Sequence, residues 1–279
     1  MSAAPGPIPP TTTPTIGGLY AETFAPTGTP KGVVVLTHGY AEHCGRYREV
    51  DHVLVNAGWA VLAYDVRGHG KSPGARGYID RFDTYLSDLA AMITAAKALA
   101  PEGAPLVLLG HSHGALIVLR ALAGEHPPSV TSAIVSSPYL AIKLAVPGWQ
   151  KLLARAASRI LPKLTQPNGI KAEHLTHDKA KQAEHDADPL NFGTATPRWF
   201  VESSAAQDYV LDYADRISVP TTWLVGAEDP LADPARARRV ADKVKGATYH
   251  DLAGLRHEVF NEVDRASVFD KLTGALPSA

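Results

Sequence analysis

Ser112 stands between two histidines and two glycines in Gly110-His111-Ser112-His113-Gly114. The pattern is G-x-S-x-G, entered from an apolar run, Pro105 to Gly110, and left through an apolar helical stretch. In that context the serine occupies the apex of a strand-to-helix turn too tight for side chains at its flanks, hence the glycines. A hydroxyl there faces a cleft at a helix N-terminus, and the His113 amide points at the same spot, ready to donate to an oxyanion. The chemistry is nucleophilic attack on a carbonyl, and it calls for a base and for an acid that orients the base.

Two later turns offer them in the order serine, acid, histidine. "WLVGAEDPLADP" places Glu228 and Asp229 after an apolar run, and "DLAGLRHEVFNE" places His257 after another. Asp229 is the better acid, because Glu228 sits one residue nearer the strand and Asp233, before Pro234, is placed to cap the following helix. His250 is the rival base, but it falls inside an apparent strand. The expected triad is therefore Ser112, Asp229 and His257.

These residues need a scaffold that presents turns at one edge. "GVVVLTHG" (Gly32 to Gly39), "AVLAYD" (Ala60 to Asp65), "PLVLLG" (Pro105 to Gly110) and "SAIVSSP" (Ser132 to Pro138) are near-continuous apolar runs. Strands buried on both faces read this way. Helical patterns at Tyr47 to Ala57, Phe82 to Leu99 and His113 to Leu122 separate them. The rhythm resumes with strands at Thr221 to Gly226 and Ala247 to Leu252, helices near Pro234 to Val244 and from Glu258 onward. The expected class is α/β, a mostly parallel doubly wound sheet. Residues 139–217 offer helices and no convincing strand, an insertion too long for an ordinary connection. It reads as a helical cap over the carboxyl edge of the sheet, where such sheets bind ligands. Residues 16–138 and 218–279 then form the core, and residues 1–15, rich in Pro, Thr and Ala, read as a disordered tail.

Bulk properties narrow the function classes. A net charge of −1 gives no electrostatic case for nucleic acid. One cysteine, Cys44, allows no intrachain disulfide. No apolar run is long enough to span a bilayer, and the N-terminus lacks the basic start and apolar centre of a secretory signal, so the expected location is cytoplasmic. Among twelve histidines, His38, His43, His69, His111 and His113 gather near one another in the expected fold. Each belongs to a turn motif and no carboxylate lies at ligand spacing, so no metal site is expected. His174, His177 and His185 read as solvated residues of the insertion.

"PTGTPKGVVVLTHGYAEHCGRY", "YDVRGHGKSPGARG", "LLGHSHGA", "VGAEDPLAD" and "LRHEVFNE" together resemble the monoacylglycerol lipases of the lysophospholipase and serine aminopeptidase-like group of α/β-hydrolases. The resemblance implies the α/β-hydrolase fold and an oxyanion hole made by the amides of Tyr40 and His113. It implies that Glu42 and Arg46 orient the glycerol end of the substrate; an ion pair fixing the loop is the other reading of that pair. It implies cleavage of monoacylglycerol esters through an acyl-enzyme, with no cofactor. A broad carboxylesterase or lysophospholipase would keep the same triad. A non-catalytic ligand-binding protein on this fold is the alternative outside enzymes. The sequence departs from the family at His113, where methionine is usual, at Tyr40, where mammalian members have a small residue, and at Phe260, where they have a second histidine.

"VPGWQKLLARAASRILPKL" (Val146 to Leu164) is an amphipathic helix ended by Pro162. Trp149, Leu152, Leu153, Ala156, Ala157, Ile160 and Leu161 form its apolar stripe, and Lys151, Arg155 and Arg159 recur every four residues on another face. The stripe either packs on the rest of the protein or walls an acyl channel and touches membrane surfaces transiently between Trp149 and Leu161. Trp199, Phe200 and Tyr209 are further candidates to line that channel.

Overall fold

The structure is a computed structural model that describes residues 6–143 and 148–278. Strands β1 (Thr15–Ile16) and β2 (Leu19–Phe24) pair antiparallel; β3 (Val33–Thr37), β4 (Ala60–Tyr64), β5 (Leu106–His111) and β6 (Ser132–Ser136) follow. A short pair, β7 (Gln166–Pro167) and β8 (Thr194–Ala195), lies apart, and β9 (Thr221–Gly226) and β10 (Ala247–Leu252) complete the main sheet. Its order is β1-β2-β4-β3-β5-β6-β9-β10, parallel from β4 to β10.

The four apolar runs are strands because both of their faces are covered. Val33, Val35, Leu62, Leu108 and Trp223 face one core, and Val34, Leu36, Val61, Leu109 and Leu224 face the other. Helices α1 (Arg48–Asn56), α2 (Asp83–Ala96) and α3 (His113–Leu122) divide between the two sides. Leu89 and Met92 of α2 and Leu116 and Leu119 of α3 join the first core, while Val50 and Leu54 of α1 join the second. The parallel register sets the carboxyl ends of β3, β5, β9 and β10 along one edge, each continuing into a turn with a residue that could do chemistry.

The segment between β6 and β9 contributes no strand to the main sheet. It holds α4 (Gly148–Ile160), α5 (Ala172–Leu175), α6 (Lys179–Ala187) and α7 (Pro197–Tyr213). The β7–β8 pair is a departure from the strand-free reading of this stretch: two residues on each side pair, too few for a periodic signal. Positions 146 and 147 of the expected amphipathic helix and the side chain of Lys151 lie outside the described residues. Helix α4 packs on α7, with Ser158 buried and Ala154 and Ala157 half-buried. Trp149, Leu152 and Ile160 remain exposed, Ile160 at 76%. Most of the stripe therefore does not pack on the rest of the protein. Helices α8 (Pro234–Ala241) and α9 (Arg265–Gly274) close the chain.

Two further boundaries differ from the sequence reading. Residues 11–15, read as part of the tail, lie along β2: the Thr11 and Thr23 amides donate to the Thr23 and Thr12 carbonyls at 2.7 and 2.9 Å, and the Thr12 and Thr23 hydroxyls meet at 2.6 Å. Composition alone misses this because the partner strand supplies the bonds. The last helix starts at Arg265, after a short turn at Val259–Asn261. Buried Glu262 accepts the amides of Arg256 and His177 at 2.9 and 3.1 Å and so holds the chain away from helical pairing.

Candidate active site

Strand β5 ends at His111, α3 begins at His113, and Ser112 takes φ 51° and ψ −114° between them. This is left-handed backbone that a non-glycine residue adopts only when its surroundings impose it. A Cβ on Gly110 would press on the Ala115 backbone at 2.7 Å, and one on Gly114 would strike the carbonyl oxygens of Thr37 and His38. The glycines thus let the turn sit against the end of β3, as their spacing predicts.

The three residues of the expected triad meet at this turn. His257 Nε2 lies 2.8 Å from Ser112 Oγ, and His257 Nδ1 lies 2.6 Å from Asp229 Oδ2. Asp229 Oδ1 accepts the amides of Leu231 and Ala232 at 2.8 and 3.0 Å, so the carboxylate is fixed and fully used. All three side chains are buried. Burial alone would lower the His257 pKa, but the charge and hydrogen bond of Asp229, helped by Glu258 and Glu42, hold it above the ordinary value. His250 stays on β10 and Glu228 is exposed, so neither joins the group.

Among the described residues no acceptor is bonded to the amide of Tyr40 or of His113. The turn carrying Tyr40 is held from beneath. His38 Nδ1 donates to the Gly39 carbonyl at 2.7 Å, a tautomer set by the Val66 amide, which donates to Nε2 at 2.9 Å. Burial pushes the His38 pKa down to about 3, so the ring is neutral in both roles. Glu42 Oε1 accepts the Gly39 amide and the Tyr47 hydroxyl, both at 2.6 Å, and Oε2 pairs with Arg46 at 2.7 Å. Arg46 also grips Glu258 in a fork at 2.6 and 2.8 Å. Glu42 and Arg46, expected to orient an alcohol, are therefore spent largely on the protein itself, although both still line a cavity.

Burial raises Glu42 despite Arg46. It would raise Glu258 too, but the two-pronged contact with Arg46 outweighs it and holds that carboxylate below its usual range.

Two cavities meet at Ser112 and His257. One, of about 670 Å³, is mainly apolar and runs beneath the inserted segment, with Trp199, Phe200, Leu153 and Tyr139 among its walls. The other, of about 220 Å³, is mixed in character, with Glu42, Arg46, Asp188 and Asn191 beside Ile170, Leu175 and Phe192 on its walls. Tyr209 does not line the apolar cavity; Arg120 lies over its ring at 3.6 Å, beside a separate groove. Phe260 lies in the core, stacked with Phe269, and touches neither cavity.

Sequence reasoning does not find Glu258, Asp188 or Asn191. Glu258 reaches Arg46 across 212 residues, and Asp188 bonds His43 at 2.8 Å across 145, separations that carry no local pattern. Asn191 donates its Nδ2 to the His185 carbonyl at 3.0 Å. The polar stretch read as solvated is in fact docked: His177 meets Glu262 at 3.0 Å, His185 borders the smaller cavity, and Lys181 pairs with Glu49 at 2.7 Å.

Comparison with known proteins agrees with this architecture. The family model described as serine aminopeptidase, S33 (Hydrolase_4) matches residues 28–264. The chain is 30% identical to a monoacylglycerol lipase of Mycolicibacterium smegmatis, over 94% of this chain and 95% of that one. It is 28% identical to the phospholipase YtpA of Bacillus subtilis, over 86% and 93%. Among solved structures, a Paleococcus ferrophilus monoacylglycerol lipase superposes with a TM-score of 0.81 at 30% identity, covering 92% of this chain and 98% of that one. The chain belongs to the serine aminopeptidase S33 family of α/β-hydrolases and is an ester-cleaving serine hydrolase.

Proposed function

We propose that the chain hydrolyses monoacylglycerols to glycerol and fatty acid, with residues 139–217 as a cap over a core of 16–138 and 218–279. The observation that carries this reading is the meeting of two unlike cavities at Ser112, one mainly apolar and about 670 Å³, the other about 220 Å³ and carrying Glu42, Arg46, Asp188 and Asn191. A single acyl chain suits the first and a small polyol suits the second. The names of the relatives from Mycolicibacterium smegmatis and Paleococcus ferrophilus point the same way.

In the proposed reaction His257 takes the Ser112 proton as Oγ attacks the ester carbon, and Asp229 stabilises the resulting imidazolium. The Tyr40 and His113 amides receive the oxyanion. His257 then returns the proton to the departing alcohol oxygen, leaving the acyl group on Ser112. Water, deprotonated by His257, attacks that ester, and His257 returns the proton to Ser112 Oγ as the acyl–oxygen bond breaks and the fatty acid leaves. In this scheme Glu42 and Arg46 serve chiefly to fix the turn that carries the Tyr40 amide.

The exposed face of α4 supports a second element of the proposal. Among the described residues no helix is long and apolar enough to cross a membrane. Leu152, Leu153, Ile160 and Leu161 nevertheless lie in solvent beside Arg155 and Arg159. That face suits transient contact between a cytoplasmic enzyme and a lipid surface.

The test is hydrolysis of monoacylglycerols of graded chain length beside lysophosphatidylcholine and di- and triacylglycerols, with Ser112→Ala in parallel. Selective cleavage of monoacylglycerols, reduced by at least about 10³-fold in Ser112→Ala, is expected. Serine-dependent cleavage of lysophosphatidylcholine at an equal rate would replace the substrate by the lysophospholipase reading, and equal inertness of both proteins would remove the mechanism.

A further inference from the structure

The proposed chemistry uses the amide of Tyr40 and leaves its side chain without a task, yet that side chain is clamped by the cap on several sides. Its hydroxyl donates to the Thr194 carbonyl at 2.7 Å, and its ring stacks on Trp199 with centroids 3.8 Å apart and planes 30° apart. Phe192 meets the same ring edge-on at 5.5 Å, and the Phe192 amide donates to the carbonyl of the next residue, Ala41, at 3.1 Å. Ala41 has φ 66°, left-handed backbone in a residue with a Cβ, so the turn takes a conformation its own sequence does not favour. A Cβ on Gly77 would crowd both the Tyr40 hydroxyl, at 2.7 Å, and the Thr194 carbonyl, at 2.8 Å. That position is kept bare for this contact.

Trp199 is also a wall of the apolar cavity, and so are Ala195 and Thr196 in the stretch that accepts the Tyr40 hydroxyl. Trp199 thus borders that cavity while its indole stacks on Tyr40, with Tyr139 parallel to it at 6.0 Å. We infer that Tyr40 is a positioning residue through which acyl-chain occupancy of the apolar cavity sets the placement of the oxyanion-binding amide. This rests on the proposed role of that amide. It follows that binding energy from the remote end of the acyl chain is spent on aligning the transition state, so chain length acts on kcat and not only on KM.

The experiment compares butanoyl and dodecanoyl monoacylglycerols, measuring kcat and KM separately for wild type, Tyr40→Phe, Tyr40→Leu and Trp199→Leu. Wild-type kcat is expected to rise with chain length. Tyr40→Leu removes the stack and the hydroxyl but keeps the amide, and it should lower the dodecanoyl kcat about tenfold more than the butanoyl kcat, part of the cost of losing an oxyanion donor. Trp199→Leu breaks the stack from the other side and should erase the same chain-length gain, so the inference does not hang on one variant folding. Tyr40→Phe keeps the stack and should retain most of the gain. An equal fall in kcat for both esters, a loss confined to KM, or a wild-type kcat independent of chain length would overturn the inference. Failure of the wider functional reading is distinguishable, because wild type would then match Ser112→Ala on both esters.

Discussion

The His257 imidazole carries opposing demands, because burial favours its neutral form while Asp229 favours the charged one, and Asp229 prevails. General-base work needs the neutral ring, so kcat/KM should fall on the acid side with a midpoint above the ordinary histidine value of about 6.5. In Asp229→Asn the burial term loses its main opponent, and the midpoint should move down. The same substitution lets the ring adopt the wrong tautomer, with a loss of about 10³–10⁴ in kcat. A pH–rate profile of both proteins reads both effects, and an unmoved midpoint would mean that Asp229 does not set the charge of His257. These residues were legible because each follows an apolar run on a turn of recognisable type. The fork of Arg46 onto Glu258 was not, since its halves are distant in the chain and meet only when β3 and β10 lie in one sheet.

At the scale of elements, α1 holds a buried carboxyl left without partners. Asp51 is buried, and neither of its oxygens has a partner among the described residues. Burial, then Glu22, pushes its pKa well up, with Arg48 opposing. A carboxyl raised in the folded state stabilises fully below its unfolded value of about 3.9 and loses that contribution as pH rises through the folded value. Asp51→Asn should therefore raise stability at neutral pH by about 1–2 kcal/mol and flatten its decline from acid to neutral pH. Denaturant melts of both proteins across that range give the comparison. Buried carboxylates also explain why β2 escaped the sequence reading: "LYAETF" contains Glu22, which breaks the apolar run and whose Oε1 accepts the Tyr20 hydroxyl at 2.8 Å and Arg48 at 2.7 Å. Strands β3 and β4 and most of β5, near-continuously apolar, could be read directly.

Over the whole molecule the segment inserted between β6 and β9 divides into two parts with different attachments. Residues 173–194 are strapped to the core by Lys181–Glu49, Arg265–Asp178, His177–Glu262 and His43–Asp188. Helix α4 packs on α7 and turns apolar side chains outward. Replacing Leu152, Ile160 and Leu161 by serine, none of which lines a cavity, should lower partition onto lipid vesicles by tenfold or more, since each side chain is worth about 1.5–3 kcal/mol when fully buried. Cosedimentation with vesicles containing anionic lipid measures this, and unchanged partition would remove membrane contact from the proposal. The existence of the insertion was legible from its length, and the helix from its period. Its straps were not, because they join polar residues whose partners are set only by the packed structure.

The order of the site residues along the chain has a consequence for synthesis on the ribosome. The serine and the turn beside it precede the insertion, whereas Asp229 and His257 follow it on loops that exist only once β9 and β10 have paired, Thr221 to Ala247 through Gly226 to Leu252. On the proposed triad, a nascent chain therefore carries Ser112 without its base until a further 145 residues have been added. By that mechanism it should form no acyl-enzyme on whatever ester it meets until the far side of the sheet is in place.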